Sequence, residues 1–345
     1  MTSRVSKHTG AATLQDVARA AGVSLATASR VLNGSTRKVA DSYRERVEAA
    51  ALELKYIANL SAQATARGAS ATVALLVADT ADPYFGLIAR GVAREVEEAG
   101  LVMTMSLTER DPDRELRIVR ALQGQRPRGL ILAASRNSET DSPRLSEELE
   151  SITDRGGRVV MLGQGGDHPY ARIVRPDNMR GSEKLGVAMG ELGYRNALII
   201  AAQENLFVSD ERIEGFTRGF LSAGGTQPRI RRQGFDWNAG FEAMTDELAK
   251  GVEPGTLVVG ITDVIAIGAM HAIREAGREP GADIAVAGTD NIPTSRDMWP
   301  PLTTVHLSLQ LLGRHAVHAV TQDDWVRPDP VPATIELRAS TPGLK

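Results

Sequence analysis

From Thr72 onward, short apolar runs alternate with amphipathic helical stretches, and this alternation narrows the fold more than any other feature of the 345-residue chain. Runs at 73–78 (VALLVA), 101–107, 130–134, 158–162, 197–202, 257–259 and 284–287 read as strands rich in aliphatic residues. Between them, 86–99, 113–123, 181–192, 211–223, 238–250 and 264–276 read as helices with one apolar face. Apolar strands alternating with amphipathic helices imply parallel sheets covered on both faces. There are more strands than one such sheet needs, so two α/β lobes are expected. Open parallel sheets take ligands at the carboxyl ends of their strands, where the polar residues of the body cluster.

The first 70 residues have a different texture. They hold ten Lys/Arg against five Asp/Glu, a balance of +5, so the net charge of −3 conceals a body of −8. A small basic head on an acidic body points to a polyanionic partner for the head alone. Three short helices are expected there. Thr13-Leu-Gln-Asp16 is a capping box opening a first helix striped by Leu14, Val17, Ala18 and Ala21, and Gly22 can turn the chain. Ser24 caps a second, which turns Ala28, Val31 and Leu32 inward and Leu25, Ala26, Ser29, Arg30 and Asn33 outward. The third, opened by Asp41-Ser42, buries Val47, Ala50, Ala51 and Leu54. Two helices joined by a tight turn with a third behind form a helix-turn-helix, an N-terminal all-α unit. Short side chains on the second helix let it lie deep in a major groove, with Arg30 and Asn33 as donors to bases or phosphates.

The run Thr13-Leu-Gln-Asp-Val-Ala-Arg-Ala-Ala-Gly-Val-Ser24, followed by Thr27-Ala-Ser-Arg-Val-Leu-Asn33 and Leu54-Lys-Tyr56, resembles the N-terminal signature of the LacI/GalR family of transcriptional regulators. The resemblance implies that Leu25 and Ala26 choose the operator sequence, by apolar contact with thymine methyls, beside Thr13, Ser24, Thr27, Ser29, Arg30 and Asn33 on DNA. It also implies that the small-residue linker after residue 58 forms a hinge helix in the minor groove, carrying Asn59, Ala62 and Thr65. Ala58 replaces the family's usual Pro, and Thr65 its wedging Leu, from which a weaker operator kink is expected. The body resembles the family's periplasmic-binding-protein-like effector domain. That likeness implies effector contacts at Tyr84, Phe85, Asp177, Arg212, Trp237, Thr262 and Asp290. Aromatic faces, carboxylates and an Arg suit a hydroxyl-rich, sugar-like effector. Thr262-Asp263 stands where the family has Asn-Asp, and Asp263 is expected to cap the following helix.

The expected organisation is a flexible tail at 1–12, a DNA-binding domain at 13–58, a hinge at 59–72, and an effector and dimerisation domain at 73–345. Its N-lobe spans about 73–187 and 304–322, and its C-lobe about 188–303 and 323–340. The segment after Pro328 has no leucine heptads, which favours a homodimer over a coiled-coil tetramer. With no cysteine, disulfides, thiolate metal sites and thiol catalysis are excluded. No apolar run is long enough to span a membrane and no secretory signal opens the chain, so a cytoplasmic regulator without cofactor is expected. The six His are scattered, with His315 and His318 read as surface residues, and no phosphate-loop motif appears; the loop Gly163-Gln-Gly-Gly166 follows a strand. Two other readings of the body stay open: a solute-binding receptor for transport, which would have no use for a basic head, and an enzyme acting on a sugar or nucleoside, which turnover would reveal.

Overall fold

The computed structural model describes residues 12–32, 39–57, 70–133, 143–163, 168–253 and 255–344. Asn33, the hinge positions Asn59, Ala62 and Thr65, and loop residues 164–167 lie outside them. The chain divides into two compact units, Met1–Ser70 and Ala71–Lys345.

In the first unit, α1 (Leu14–Ala21), α2 (Leu25–Leu32) and α3 (Asp41–Glu53) enclose a small core of Val17, Ala18, Ala21, Ala28, Val47 and Ala50. The capping box is present: Asp16 N–H donates to Thr13 Oγ1 at 3.3 Å and Thr13 N–H to Asp16 Oδ2 at 3.0 Å. Gly22 ends α1 at φ 64°, a conformation that costs a residue with a Cβ. Ser24 Oγ accepts the Thr27 N–H at 3.1 Å, fixing the first turn of α2. Leu54 corrects the expected core: α3 ends at Glu53, and Leu54 is exposed.

The second unit contains two sheets. Strands β1 (Thr72–Val77), β2 (Val102–Leu107), β3 (Gly129–Leu132), β4 (Arg158–Leu162) and β5 (Ala171–Val174) pair wholly in parallel, in the order β2-β1-β3-β4-β5. Helices α4 (Pro83–Glu98), α5 (Pro112–Gln123) and α6 (Pro143–Asp154) connect them. The chain then forms α7 (Asn178–Glu191), β6 (Ala197–Ala201), α8 (Phe207–Ser222), β7 (Arg229–Arg232), α9 (Trp237–Lys250), β8 (Leu257–Gly260), α10 (Asp263–Glu275), β9 (Ala285–Asp290), α11 (Thr294–Asp297) and β10 (Thr303–Leu307). It returns through α12 (Leu309–Thr321) and closes with β11 (Ala333–Glu336). The second sheet runs β11-β10-β9-β8-β6-β7, parallel except for β11, which lies antiparallel to β10.

The lobe boundaries depart from expectation in two places. Helix α7 belongs wholly to the second lobe, because its glycines and those of α8 let the two backbones touch: a Cβ on Gly219 would lie 2.0 Å from Glu183 O, and one on Gly186 2.3 Å from Phe216 O. Strand β10 pairs with β9, so it too is in the second lobe, and the return to the first falls at Ser308. There α12 meets α4 through Gly91 and Gly313. Amphipathic spacing in 181–192 shows that a face is buried, not which sheet it covers.

Candidate functional site: a DNA-reading helix and an interlobe cleft

Helix α2 presents one face to solvent. Leu25 is 51% exposed, Ala26 and Arg30 are exposed, and Thr27 and Ser29 are half-buried beside them. Ala28 points inward and anchors the helix. Thr27 is partly committed, since its hydroxyl lies 2.8 Å from Ser24 Oγ. A ridge of small side chains with one long cation at its end suits a groove whose floor carries methyls and acceptors. Thr13 and Ser24 are exposed at the helix N-termini, where backbone N–H groups attract phosphate.

In the body, Arg212 organises the strand ends of the second lobe. It is 3% exposed, and each of its three nitrogens donates: Nε to Asn178 Oδ1 at 3.0 Å, Nη1 to the Ile261 carbonyl at 2.7 Å, and Nη2 to Asp290 Oδ1 at 2.9 Å. Residues from α7, α8 and β9, and the residue just after β8, thus meet at one guanidinium. Asp290 sits at the end of β9 with φ 120°, which a side-chain-bearing residue adopts only when its surroundings dictate it. Burial pushes its carboxyl well above the usual range, against the pull of Arg212. From the first lobe, Asp82 caps α4 by accepting the Tyr84 N–H at 2.9 Å, and burial raises its carboxyl as well. Tyr84 and Phe85 meet edge to face at 5.1 Å, and the Tyr84 hydroxyl is pushed upward by burial within the field of Arg212, Asp290 and Asp82. Tyr84 of the first lobe is therefore close to Arg212 and Asp290 of the second, while Phe85 beside it is buried in the core.

Asp177 lies beside Asn178, and its side chain makes no capping hydrogen bond. One expectation is corrected. Thr262, rather than Asp263, caps α10, accepting the Ile265 N–H at 3.3 Å. Asp263 instead ties β9 to β10, accepting from Ile292 N–H at 2.9 Å and Thr304 Oγ1 at 2.5 Å. Trp237 opens α9, and its ring stacks on Phe241 and tilts against His271, on the helix pair. Phe235, two residues earlier, meets the other lobe beneath the Arg110 guanidinium. Asn178, Arg110 and Phe235 escaped the sequence reading. For Asn178 and Phe235 the signal was position, a few residues past the end of a strand.

The Asp263 carboxyl is pushed up to about 6 by burial, against its two donors. Its folded value lies above the 3.8 of an exposed carboxyl, so folding takes up a proton. Its contribution to stability is therefore greatest at acid pH and is lost as pH rises from about 4 to about 6, on the order of 3 kcal/mol for a shift of that size. Asp82, Asp290 and Glu211 shift in the same direction, again through burial. Asp263→Asn is expected to flatten the fall in Tm between pH 4.5 and 6.5. An unchanged slope would show that this carboxyl is not the group titrating there.

Among the described residues no helix is long and apolar enough to cross a membrane. The family profile described as "Bacterial regulatory proteins, lacI family" matches residues 13–59. The profile of "Periplasmic binding proteins and sugar binding domain of LacI family" matches residues 70–337. The Ribose operon repressor of Escherichia coli K12 is 30% identical over 319 residues, covering 90% of this chain and 94% of that protein. A solved Lac repressor bound to ONPG in the repressed state has a TM-score of 0.81 at 26% identity, covering 96% of this chain and all of that one. The complex of the transcriptional regulator CelR with cellobiose has a TM-score of 0.67 at 26% identity, covering 95% of this chain and 99% of that one. The helix-turn-helix, the two-lobed body and these matches, which between them span nearly the whole chain, agree: the chain belongs to the LacI family of bacterial regulatory proteins and is a DNA-binding transcriptional repressor of that family.

Proposed function

We propose that the interlobe cleft takes a neutral, hydroxyl-rich small molecule about the size of a sugar, and that its binding changes the affinity of a cytoplasmic homodimer for a two-fold operator. The observation that carries this reading is the burial of Arg212 and its pairing within the protein. Three of the five N–H groups of this buried guanidinium are already bonded to Asn178, the Ile261 carbonyl and Asp290, and the Asp290 carboxylate offsets its charge, so it is a poor anchor for a phosphate. The acids near it, Asp82, Glu211 and Asp290, give an anion no cationic partner and can pair with hydroxyl groups. That the ribose operon repressor and the CelR–cellobiose complex share this fold supports a sugar as ligand. On the head, Leu25, Ala26, Ser29 and Arg30 are the readers of the major groove. One such helix covers few base pairs, so useful specificity needs two heads on two half-sites.

A thermal-shift panel of neutral sugars and polyols, sugar phosphates, sugar acids and nucleosides tests the ligand class. A ligand at a hundred times its Kd adds about 2.7 kcal/mol, a rise of roughly 5–10 °C in Tm for a body of this size. A neutral polyhydroxylated compound is expected to produce it. A rise confined to phosphorylated or carboxylated compounds would overturn the reading.

A further inference from the structure

The backbone crossings between the two lobes, at 175–177, at Ser308 and at 322–332, all lie on the side of β5 in one sheet and β10–β11 in the other. The opposite edges, β2 and β7, are joined by no backbone. A hinge on one side leaves the cleft free to gape on the other, where a weak contact has the longest lever arm.

Arg110 stands on that open side. It follows β2 in a turn where Glu109 and Arg110 both take left-handed φ values, 54° and 56°, uncommon for residues with side chains. The turn is pinned from every direction. Glu109 N–H donates to the Ala78 carbonyl at 3.0 Å and Asp111 N–H to Thr108 O at 3.0 Å, while Asp111 caps α5. Arg114 holds it from outside, with Nε on Leu107 O at 2.9 Å and Nη1 on Glu109 Oε2 at 2.8 Å. Strain held in place this firmly aims a side chain. The Arg110 guanidinium carbon lies 4.8 Å from the centre of the Phe235 ring, which belongs to the other lobe just past β7, and 6.0 Å from Phe85 of its own lobe. The acids that act on it come from both sides, Asp82 and Asp79 from the first lobe and Asp236 from the second.

We propose that Arg110 is the positioning residue that clasps the open side of the cleft onto Phe235, and so aligns the two halves of the effector site before any effector arrives. The inference rests on the reading of the cleft as that site, but its test requires no effector. Arg110 supplies a cation to an aromatic face and a charge to Asp236. A contact of this kind at a partly exposed site shifts a closed–open equilibrium two- to fivefold.

The chain contains no cysteine, so Ala121→Cys and Ala249→Cys, on exposed turns of α5 and α9 in opposite lobes, accept a dye pair cleanly in the full-length protein. Excess unlabelled chain leaves one labelled copy per dimer. Single-molecule energy transfer without effector is expected to show a closed population that falls two- to fivefold relative to the open one in Arg110→Met. Phe235→Leu should shift it equally, the double variant no further, and Arg110→Lys, which keeps the charge without the planar fork, by less. An unchanged ratio in Arg110→Met, or shifts that add in the double variant, would overturn the clasp. Because the measurement uses no ligand, its failure leaves the ligand class untouched, and failure of the thermal-shift panel leaves the clasp untouched.

Discussion

Arg30→Ala is expected to weaken specific operator binding by between about thirtyfold and about twenty-thousandfold while leaving the ligand-induced rise in Tm unchanged. Arg30 is exposed on the last turn of α2, on the same helix as the exposed Leu25 and Ala26. Leu25 and Ala26 can only make apolar contacts, so the charged hydrogen bonds of this helix come from Arg30. A good bidentate contact to a base is worth about 1–3 kcal/mol, and a two-fold complex makes it twice. The small core of the head does not include Arg30, so folding is spared. Anisotropy titration against an operator selected from random DNA gives the number. Undiminished affinity would place the reading surface elsewhere.

Arg212→Ala should abolish the effector response and lower Tm by roughly 6–20 °C. Removing this side chain strands Asp290, 1% exposed and held at φ 120°, together with the Asn178 amide oxygen and the Ile261 carbonyl. Breaking a buried pair from one side costs about 3–5 kcal/mol, because the remaining charge is left without a partner. Asp290→Asn keeps an acceptor for Nη2 and removes the charge, so its loss of stability should be the smaller of the two. The head has its own core, and non-specific DNA binding at low salt should persist in both variants. A variant lacking Arg212 that melts with the parent protein and still responds to effector would contradict this account of the cleft.

Local signals were legible in the sequence wherever a single segment carried them. Thr13 and Asp16 specify their capping box within four residues, and the aliphatic runs of β1, β6 and β8 are buried throughout. Strand β7 (RIRR) carries no such run, because it is an edge strand whose long cations reach Glu247, Asp246 and Asp210. Strands β5 and β11 also lie at sheet edges and are short. Which lobe a helix joins depends on the glycine faces of α7 and α8 meeting, a property of two segments rather than one.

The site shows the same division. Arg212 and Asp290 are 78 residues apart, yet both could be named from their places after strands or on a helix near one, since strand ends of one sheet converge. Thr262 and Trp237 were also near strand ends. There the first turn of a helix has N–H groups to satisfy, and α9 and α10 offer a flat surface to a ring. Arg110 could not be found this way. Its importance lies in a pair of left-handed residues and in a ring contributed by the other lobe, neither of which leaves a pattern in the local sequence.

The central claim is that the head and the cleft are one switch. It is tested most directly by titrating a fluorescent operator with the full chain, with and without the compound that raises Tm most in the thermal-shift panel, at one fixed salt concentration. A coupled switch predicts that the compound changes operator affinity by five- to 150-fold, while non-specific DNA binding stays constant. Operator affinity identical at zero and saturating compound would contradict it, because a ligand that binds both states equally shifts neither.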